Sequence, residues 1–477
     1  MAKVETKEKV SVAVKLGYGS GDFAMSLAFN LPAFYLMYYF TDVFGIGATA
    51  AGVIIFSSKI WDSFVSPAMG YITDHTNTRW GSKRPYILFG ALPAGISIAL
   101  LFATPNIATE NFRIAYGLTT FFFFCTMMTI MTVPYGALTA NITSDSRERT
   151  MISAYRMTFA VVGTLVGAGA TIPLVKAFGG VYLDKYYRVA ENVIANTEKT
   201  INILGFRSVG ILYGIILSMI VLISFFSVKE RLVNSNSDGD LPSIGDNIKL
   251  ILKNKPFIIL TSGVLMHQIA INLMSGVVVY FFKYNLNAES MVPWAFLIIL
   301  GGGGIMLPLY IYISNKKSKK FAYNLGTGII ATMAFPIFLF GDINATVTLL
   351  MFFVIGFGIS TVFLSPWSMI PDTIEYSEWK TGLRREGIHY GFFQFAFKLS
   401  VAISGLFIGA VLWFSGYVPN QPQTPEALLG IKALLTMFPL FFSIIGIILI
   451  SRFPIDADMH EKMLADIEMS GDVDGGY

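Results

Sequence analysis

Five ionisable residues stand inside long apolar stretches of the sequence, where a charge costs roughly 2.5 to 3.5 kcal/mol to insert into a bilayer. They are Asp22, Lys59, Asp62, Arg156 and Lys398. Lys59 and Asp62 are three residues apart, so on a helix they share one face and can neutralise each other. An isolated structural pair would account for those two alone. A water-filled cavity accounts for all five and is typical of a pathway for ions or polar solutes.

Hydroxyl groups and helix-breaking residues occur in the same kind of segment. The stretch at 119–143 reads TTFFFFCTMMTIMTVPYGALTANIT and carries Thr129 and Thr132, followed by Pro134 and Gly136. Threonines in membrane helices often bond to their own backbone, so each of them can be purely structural. Carbonyl groups freed at a proline can instead serve a ligand where they line a cavity.

Membrane-spanning helices are the elements that must position these groups. Of the 477 residues, 54% are hydrophobic and 13% charged, about half the ~25% charged fraction of soluble domains. Apolar runs of about 20 residues, enough to span a bilayer, recur along the chain. The predicted spans are 18–41, 48–73, 85–104, 112–140, 151–178, 204–228, 257–282, 290–313, 321–340, 345–369, 387–416 and 428–451. The sequence therefore predicts an all-α membrane protein with twelve transmembrane helices.

The central polar segment divides these spans into two predicted six-helix bundles. The predicted domains are residues 1–228, a loop at 229–256, residues 257–452 and a tail at 453–477. Within the loop, 244–253 mixes apolar residues with lysines and predicts a short interfacial helix. Lys and Arg concentrate in the segments on the N-terminal side of the membrane, which places both termini in the cytoplasm. Repeated bundles around a central loop are typical of alternating-access carriers.

Cysteine and histidine usage argues against an enzyme or a metalloprotein. Cys125 is the single cysteine, and the four histidines (His75, His267, His389 and His460) are far apart in sequence. The chain therefore forms no disulfide framework and offers no Cys-based metal site. We expect no cofactor and no nucleic-acid partner. His267 either lines a cavity or is a hydrogen-bonded core residue.

Charged residues at the predicted cytoplasmic boundaries suggest a gate. The segment at 70–85 reads GYITDHTNTRWGSKRP. Its Asp74 can cap a helix end or pair with Arg79 or Arg84, and so hold the inner side closed in one state. Ordinary charge at a membrane boundary is the alternative. The predicted gate residues are Asp74, Arg79, Arg84, Arg147, Arg149, Asp372, Glu375 and Arg384.

Several of these segments together resemble one transporter family. They read KLGYGSGDFAMSLAFNLPAFYLMYYFTDVFGIG, KIWDSFVSPAMGYITD, NTRWGSKRPYIL, VPYGALTANIT with SRERT, and PDTIEYSEWKTGLRREGIHYGFFQFAFK. In order and spacing they are similar to the glycoside–pentoside–hexuronide:cation symporters of the major facilitator superfamily. The resemblance covers about residues 12–455. It implies a monomeric carrier in a bacterial inner membrane that takes up a sugar with a monovalent cation.

The resemblance also implies roles for individual residues. Asp62, Ser66 and Thr129 would form the cation-coupling site. Here Ser66 replaces a second carboxylate, and Ser26 and Thr132 replace acidic sugar ligands of the melibiose carrier. The implied substrate-binding residues are Asp22, Ser26, Lys59, Thr132, Arg156, Phe363, Gln394 and Lys398.

Those departures leave two matters open, the coupling ion and the charge of the substrate. Asp62, Ser66 and Thr129 would offer three hard oxygen ligands, so Na⁺ coupling is one alternative. A lone buried carboxylate can instead carry a proton, and we slightly favour H⁺ as the coupling ion. Three interior cations against two carboxylates suit an anionic, uronide-type sugar. A lysolipid transporter of the same fold and a sensor without transport are the alternative functions.

Overall fold

A computed structural model describes residues 10–143, 146–186, 197–230, 251–382 and 386–474. All regular elements in these ranges are helices. The chain divides into two compact units, the first formed by 1–237 with 418–421 and the second by 238–417 with 422–477. The first unit contains α1 (Val12–Tyr38), α2 (Ala48–Asp74), α3 (Arg84–Leu101), α4 (Glu110–Ile142), α5 (Ser146–Gly169), α6 (Thr171–Tyr186) and α7 (Thr197–Ser227). We call it the N-terminal bundle.

The second unit, the C-terminal bundle, begins with helices that follow the central loop. It contains α8 (Lys255–Tyr280), α9 (Val292–Lys316), α10 (Lys319–Phe340), α11 (Ala345–Thr381), α12 (Glu386–Phe414), α13 (Pro425–Leu435), α14 (Met437–Ser451) and α15 (Ala457–Asp474). The predicted interfacial helix at 244–253 lies mostly outside the described residues.

The helix pairings of one bundle repeat in the other. In the N-terminal bundle α1 packs on α5 and α7, α2 on α4, and α3 on α4 and α7. In the C-terminal bundle α8 packs on α12 and α14, α9 on α11, and α10 on α11 and α14. Each bundle is therefore one copy of the same arrangement.

The first helix of each bundle ends in the same way. α1 continues into a π-helical turn at Tyr39–Val43, and α8 into another at Phe281–Asn285. The following amide donates to a carbonyl five residues earlier, over 2.8 Å from Phe44 and 3.2 Å from Leu286. Single π turns are rare and occur often at functional sites.

Two predicted spans are each formed by two helices. The span at 151–178 is broken at Ala170, between α5 and α6, and the span at 428–451 is broken at Thr436, between α13 and α14. Pro173 and Pro439 each follow the break by three residues. Proline has no N–H to donate to the carbonyl four residues earlier, so the helix is interrupted there.

Eleven spans among the described residues are long and apolar enough to cross a membrane. α2 is not one of them, although its 27 residues would extend about 40 Å. Lys59, Asp62 and several serines lower its mean hydropathy. α2 is thus the least apolar of these long helices because it carries Lys59 and Asp62 near its middle.

Glycines allow close backbone contacts between helices in both bundles. A Cβ atom on Gly95 of α3 would lie 2.4 Å from the carbonyl oxygen of Gly214 on α7. A Cβ atom on Gly358 of α11 would lie 2.2 Å from that of Gly326 on α10. No side chain fits at such distances, so these two backbone contacts require glycine.

A stripe of apolar side chains on α7 faces outward. Ile211, Ile215, Met219, Ile223 and Phe226 are 43 to 73% exposed, and their spacing of three or four residues places them on one helix face. An exposed apolar stripe of this length is unfavourable in water and is expected against lipid tails.

Candidate functional site

Lys59 and Asp62 form an ion pair inside the N-terminal bundle. Lys59 Nζ lies 3.6 Å from Asp62 Oδ2, and the two residues are only 6% and 4% exposed. Both lie near the middle of α2, where the adjacent turns of one helix bring them together. Burying either charge alone would cost roughly several kcal/mol. Each charge can stay buried because the other one offsets it.

Asp62 is also held by a neighbouring helix. The Thr129 hydroxyl on α4 donates to Asp62 Oδ1 in a short hydrogen bond. The Ser66 hydroxyl, one turn beyond Asp62 on α2, donates to the Asp62 main-chain oxygen at 3.1 Å. Of the three predicted cation-coupling residues, Thr129 and Asp62 therefore meet through their side chains, and Ser66 is turned toward its own helix backbone.

Aromatic rings surround the Lys59 ammonium. Lys59 Nζ lies 5.1 Å from the ring centre of Phe29 on α1 and 5.5 Å from that of Phe121 on α4, distances at which cation–π attraction operates. The buried thiol of Cys125 is a hydrogen-bond partner of the same ammonium. The cationic end of the pair thus faces α1 and α4, while its anionic end faces Thr129.

A second ion pair joins α1 to α5. Arg156 Nε lies 2.7 Å from Asp22 Oδ2 and Nη2 lies 3.2 Å from Asp22 Oδ1. Their side chains are 14% and 15% exposed. Two parallel N–H···O bonds fix both the position and the plane of the guanidinium.

Residues that the sequence analysis did not select complete this second pair. The Arg156 guanidinium carbon lies 5.2 Å from the ring centre of Tyr18 and 4.8 Å from that of Tyr135. The Tyr135 hydroxyl lies 2.9 Å from Asp22 Oδ2, and Arg156 Nη1 donates to Thr139 Oγ1 at 2.6 Å. The tyrosine hydroxyls also bond reciprocally to each other's main-chain oxygens. The VPYGALTANIT motif contained both Tyr135 and Thr139, and their spacing of four residues was the available signal.

Both ion pairs involve residues of the same two helices, α1 and α4. α4 presents Thr129 to Asp62 and Tyr135 to Asp22, six residues or about 9 Å apart along the axis. On α1, Asp22 and Phe29 are seven residues apart, and each contacts a different pair. Ser26 and Thr132 occupy intermediate positions on these helices and are half-buried. Asp22 and Ser26 on α1, and Thr129, Thr132 and Tyr135 on α4, recur at spacings of three or four residues, which places them on one face of each helix.

The C-terminal bundle places two predicted substrate residues on α12. Gln394 is exposed and Lys398 is half-buried, and they lie one turn apart on one helix face. On α8, Gln268 is 4% exposed. Its Nε2 has no hydrogen-bond partner among the described residues.

His267 is a hydrogen-bonded core residue of the C-terminal bundle. Its Nδ1 lies 2.7 Å from the Tyr323 hydroxyl and its Nε2 lies 3.2 Å from the Ser443 main-chain oxygen. It is 1% exposed. The sequence left open whether His267 lines a cavity or is a hydrogen-bonded core residue, and its contacts are those of a core residue.

The basic segment before α3 binds a carboxylate from the end of the N-terminal bundle. The main-chain N–H groups of Ser82, Lys83 and Arg84 donate to Glu230 over 2.9, 2.7 and 2.9 Å. Helix N-termini favour such an anion. The Arg84 side chain donates to the Phe225 main-chain oxygen at 3.0 Å. Arg84 is thus tied to the C-terminal end of α7.

Other predicted gate residues of this bundle make contacts close in sequence. Arg79 stacks on the Trp80 ring at 4.4 Å, and Arg149 Nε donates to the Thr143 main-chain oxygen at 2.7 Å. A buried pair that was not predicted lies nearby, with Lys15 Nζ at 2.8 Å from Glu148 Oε2. It connects the start of α1 to the start of α5.

Asp372 and Glu375 each contact a basic side chain, and the two basic side chains come from different helices. Lys319 Nζ, at the start of α10, lies 2.7 and 2.9 Å from the two Asp372 carboxylate oxygens. His460 Nε2, on α15, lies 2.7 Å from Glu375 Oε2. Neither Lys319 nor His460 was predicted. The sequence gives no local signal for either, because the partners are 53 and 85 residues apart.

Four predicted site residues lie wholly or partly outside the described part of the structure. Arg384 is outside the described residues. The side chains of Asp74, Arg147 and Phe363 are outside them as well. Their predicted roles in the gate and the substrate site stay predictions.

Comparison with known proteins gives the class to which this arrangement belongs. The chain belongs to the family described as MFS/sugar transport protein, whose sequence profile matches residues 17–457. This confirms the resemblance to the sugar–cation symporters of the major facilitator superfamily. The protein is a transporter, not an enzyme, and a multi-pass protein of the bacterial inner membrane.

Individual relatives span almost the whole chain. An uncharacterized symporter, YnaJ, of Bacillus subtilis (strain 168) is 32% identical over 97% of this chain and 96% of its own. The isoprimeverose transporter of Lactiplantibacillus pentosus is 29% identical, with 98% and 93% covered. A glucuronide carrier protein homolog of Escherichia coli (strain K12) is 26% identical, with 97% and 96% covered.

A solved structure supports the fold. The crystal structure of a bacterial homolog of the human lysosomal transporter Spinster, inward-facing and unoccupied, aligns with a TM-score of 0.65 over 95% of this chain and 97% of that chain. The two sequences are 11% identical, so this likeness bears on the fold alone.

Proposed function

We propose that the protein is a proton-coupled symporter that imports a sugar or glycoside by alternating access. In this proposal it has twelve membrane spans, with α2 as the least apolar of them, and both termini lie in the cytoplasm. The observation that carries the proposal is the buried Asp62 carboxylate, which pairs with Lys59 and accepts a hydrogen bond from Thr129. A carboxylate kept inside an apolar helix at this cost is expected to bind the coupling ion.

The neighbours of Asp62 favour a proton over Na⁺. A Na⁺ ion needs several oxygen ligands around it, yet one of the groups beside this carboxylate is an ammonium 3.6 Å away, which offers no ligand oxygen. Protonation of Asp62 requires no such ligand shell.

The substrate is proposed only as a sugar or glycoside, without choosing between neutral and anionic sugars. Charge excess in the interior predicted an anionic sugar, but Lys59 and Arg156 each face a carboxylate in the structure. Two of the three predicted interior cations are therefore each offset by a carboxylate. Relatives include both an isoprimeverose transporter and a glucuronide carrier homolog. The uronide preference stays a prediction, and it is contradicted if a glucuronide enters no faster than its neutral analogue.

Asp62→Asn is the test of the coupling proposal. The variant keeps the size and hydrogen-bonding capacity of the side chain but cannot release a proton. We expect concentrative uptake to be lost in vesicles with a pH gradient, while sugar counterflow without a gradient persists. Full accumulation by this variant would contradict the proposal.

Ser66→Ala is the matched variant that distinguishes the ions. It removes an oxygen that Na⁺ would need but leaves the Asp62 carboxylate intact. Under proton coupling we expect uptake driven by a pH gradient to remain within about twofold of wild type. A specific loss of uptake driven by a Na⁺ gradient would show that Na⁺ is the coupling ion instead.

A further inference from the structure

The C-terminal helix α15 is docked on α11 by both polar and apolar contacts. Met463 is fully buried, although the helix is otherwise rich in charged residues. Trp379 Nε1 donates to Asp466 Oδ2 at 3.0 Å, and His460 bonds to Glu375 at 2.7 Å. These contacts fix two successive turns of α15 against the last turns of α11.

The polar contact around His460 is a network of four ionisable groups. His460 Nε2 lies 2.7 Å from Glu375 and 3.7 Å from Asp372. Lys319 Nζ lies 2.7 Å from Asp372 and donates to the Ser368 main-chain oxygen at 2.9 Å. The Lys319 ammonium occupies the position beside Asp372 that a metal ion at these carboxylates would otherwise take. The network is therefore balanced, two charges against two, only when His460 carries a proton.

His460 is the imidazole among these four groups. An imidazole ordinarily titrates at a pKa of about 6.5, whereas free lysine and carboxylate side chains titrate far from neutral pH. The groups that face it are Glu375 and Asp372 on α11 and Lys319 on α10. Its own helix adds the exposed Glu461 and the Asp456 cap. Two carboxylates face the ring directly, so its protonation strengthens the contact.

Docking of α15 constrains a region where α11 is weakened. Pro366 and Pro371 lie inside α11, just before Asp372, and each removes a backbone hydrogen bond. A helix so interrupted can bend there. The Lys319 and His460 contacts attach α10 and α15 to the segment beyond those prolines.

We propose that α15 is a pH-dependent latch, which protonated His460 holds against Glu375 and Asp372, and which restrains α10 and α11 as the surrounding compartment acidifies. The link to transport rests on the proposed function. For a carrier that brings protons into the cytoplasm, such a latch slows uptake as the cytoplasm becomes acidic.

Hydrogen–deuterium exchange of the full-length protein tests the latch directly. Peptides covering 457–474 are compared at about pH 6 and about pH 8, on either side of an ordinary imidazole pKa, after correction for intrinsic exchange. We expect protection to fall about fivefold at the higher pH, the size of effect of one partly exposed ion pair. His460→Gln keeps a hydrogen-bonding group without a titration, and its protection is expected to be the same at both values.

His75→Gln is the matched control, because His75 is an exposed histidine of the other bundle that stacks on Tyr71. It is expected to keep the wild-type pH response. Equal wild-type protection at both pH values, or an unchanged response in His460→Gln, would overturn the latch. Exchange needs no transport, so this result is independent of the proposed function.

Counterflow with equal pH on both sides of the membrane then tests the link to transport. We expect wild-type counterflow to be slower at about pH 6 than at about pH 8, and His460→Gln to lose this difference. The same pH response in both proteins would contradict a role of the latch in transport.

Discussion

Two ion pairs of the N-terminal bundle lie near the middle of their helices, whereas Asp372 and Glu375 of the C-terminal bundle contact basic side chains near the end of α11. Helix pairing is the same in both bundles. The core of the C-terminal bundle holds neutral groups at comparable depth, including His267 bonded to Tyr323. The repeated scaffold therefore does not dictate where the chemistry lies.

This asymmetry suggests a division of labour. Mid-membrane charges are costly and are kept where an ion or polar solute must bind, so the N-terminal bundle is the expected site of coupling. Charges near a helix end are expected close to the membrane boundary, where they cost less than at the bilayer centre. Such groups are suited to holding segments together and to responding to pH.

The largest effect that tests this division is expected from Arg156→Ala. The change leaves Asp22 buried without its guanidinium partner, which costs about 3 kcal/mol. We expect a lower thermal unfolding temperature in detergent and loss of sugar uptake. The double variant Asp22→Asn with Arg156→Gln removes both charges and should recover stability but not uptake. Wild-type uptake by either variant would contradict a role of this pair in transport.

A smaller effect is expected from Thr129→Val, which removes the hydroxyl that bonds to Asp62. The lost hydrogen bond should cost about 1 kcal/mol and reduce coupled uptake about fivefold, while Thr129→Ser retains most activity. The matched control is Thr327→Val in the C-terminal bundle, where the hydroxyl donates to the Tyr323 main-chain oxygen at 2.6 Å. Equal losses of uptake in both valine variants would remove the proposed difference between the bundles.

The smallest effect is expected from Lys432→Ala. Lys432 Nζ lies 2.7 Å from Asp342 Oδ2, and the aspartate side chain is 37% exposed. A pair that is reached by water contributes less than about 1 kcal/mol. Thermal unfolding and uptake should both remain close to wild type, and a marked loss of uptake would show that the C-terminal bundle also depends on its outer ion pairs.

Hydrophobic runs and charge placement were sufficient to predict the class of fold, because a membrane helix needs a long apolar segment that satisfies its own backbone. Helix ends were harder to predict. The breaks at Ala170 and Thr436 depend on prolines placed within otherwise continuous apolar runs. The predicted span ended at residue 369, but α11 continues past Pro366 and Pro371 to Thr381.

The contacts that spacing alone predicted at the site are those between residues close together along one helix. Lys59 and Asp62 are one turn apart, so the sequence alone indicated their ion pair. Asp22 and Arg156 are 134 residues apart, and either could have been paired with another charge.

The sequence by itself thus determined the solvent, the helices and the residues that are too costly to be accidental, since each of these follows from composition and from spacing along one helix. Only the tertiary structure decided which charges neutralise each other. Tyr135 at Asp22, Glu230 at the start of α3, and His460 at Glu375 all come from distant segments. Such contacts depend on how helices pack, and packing is set by many weak interactions that no short stretch of sequence contains.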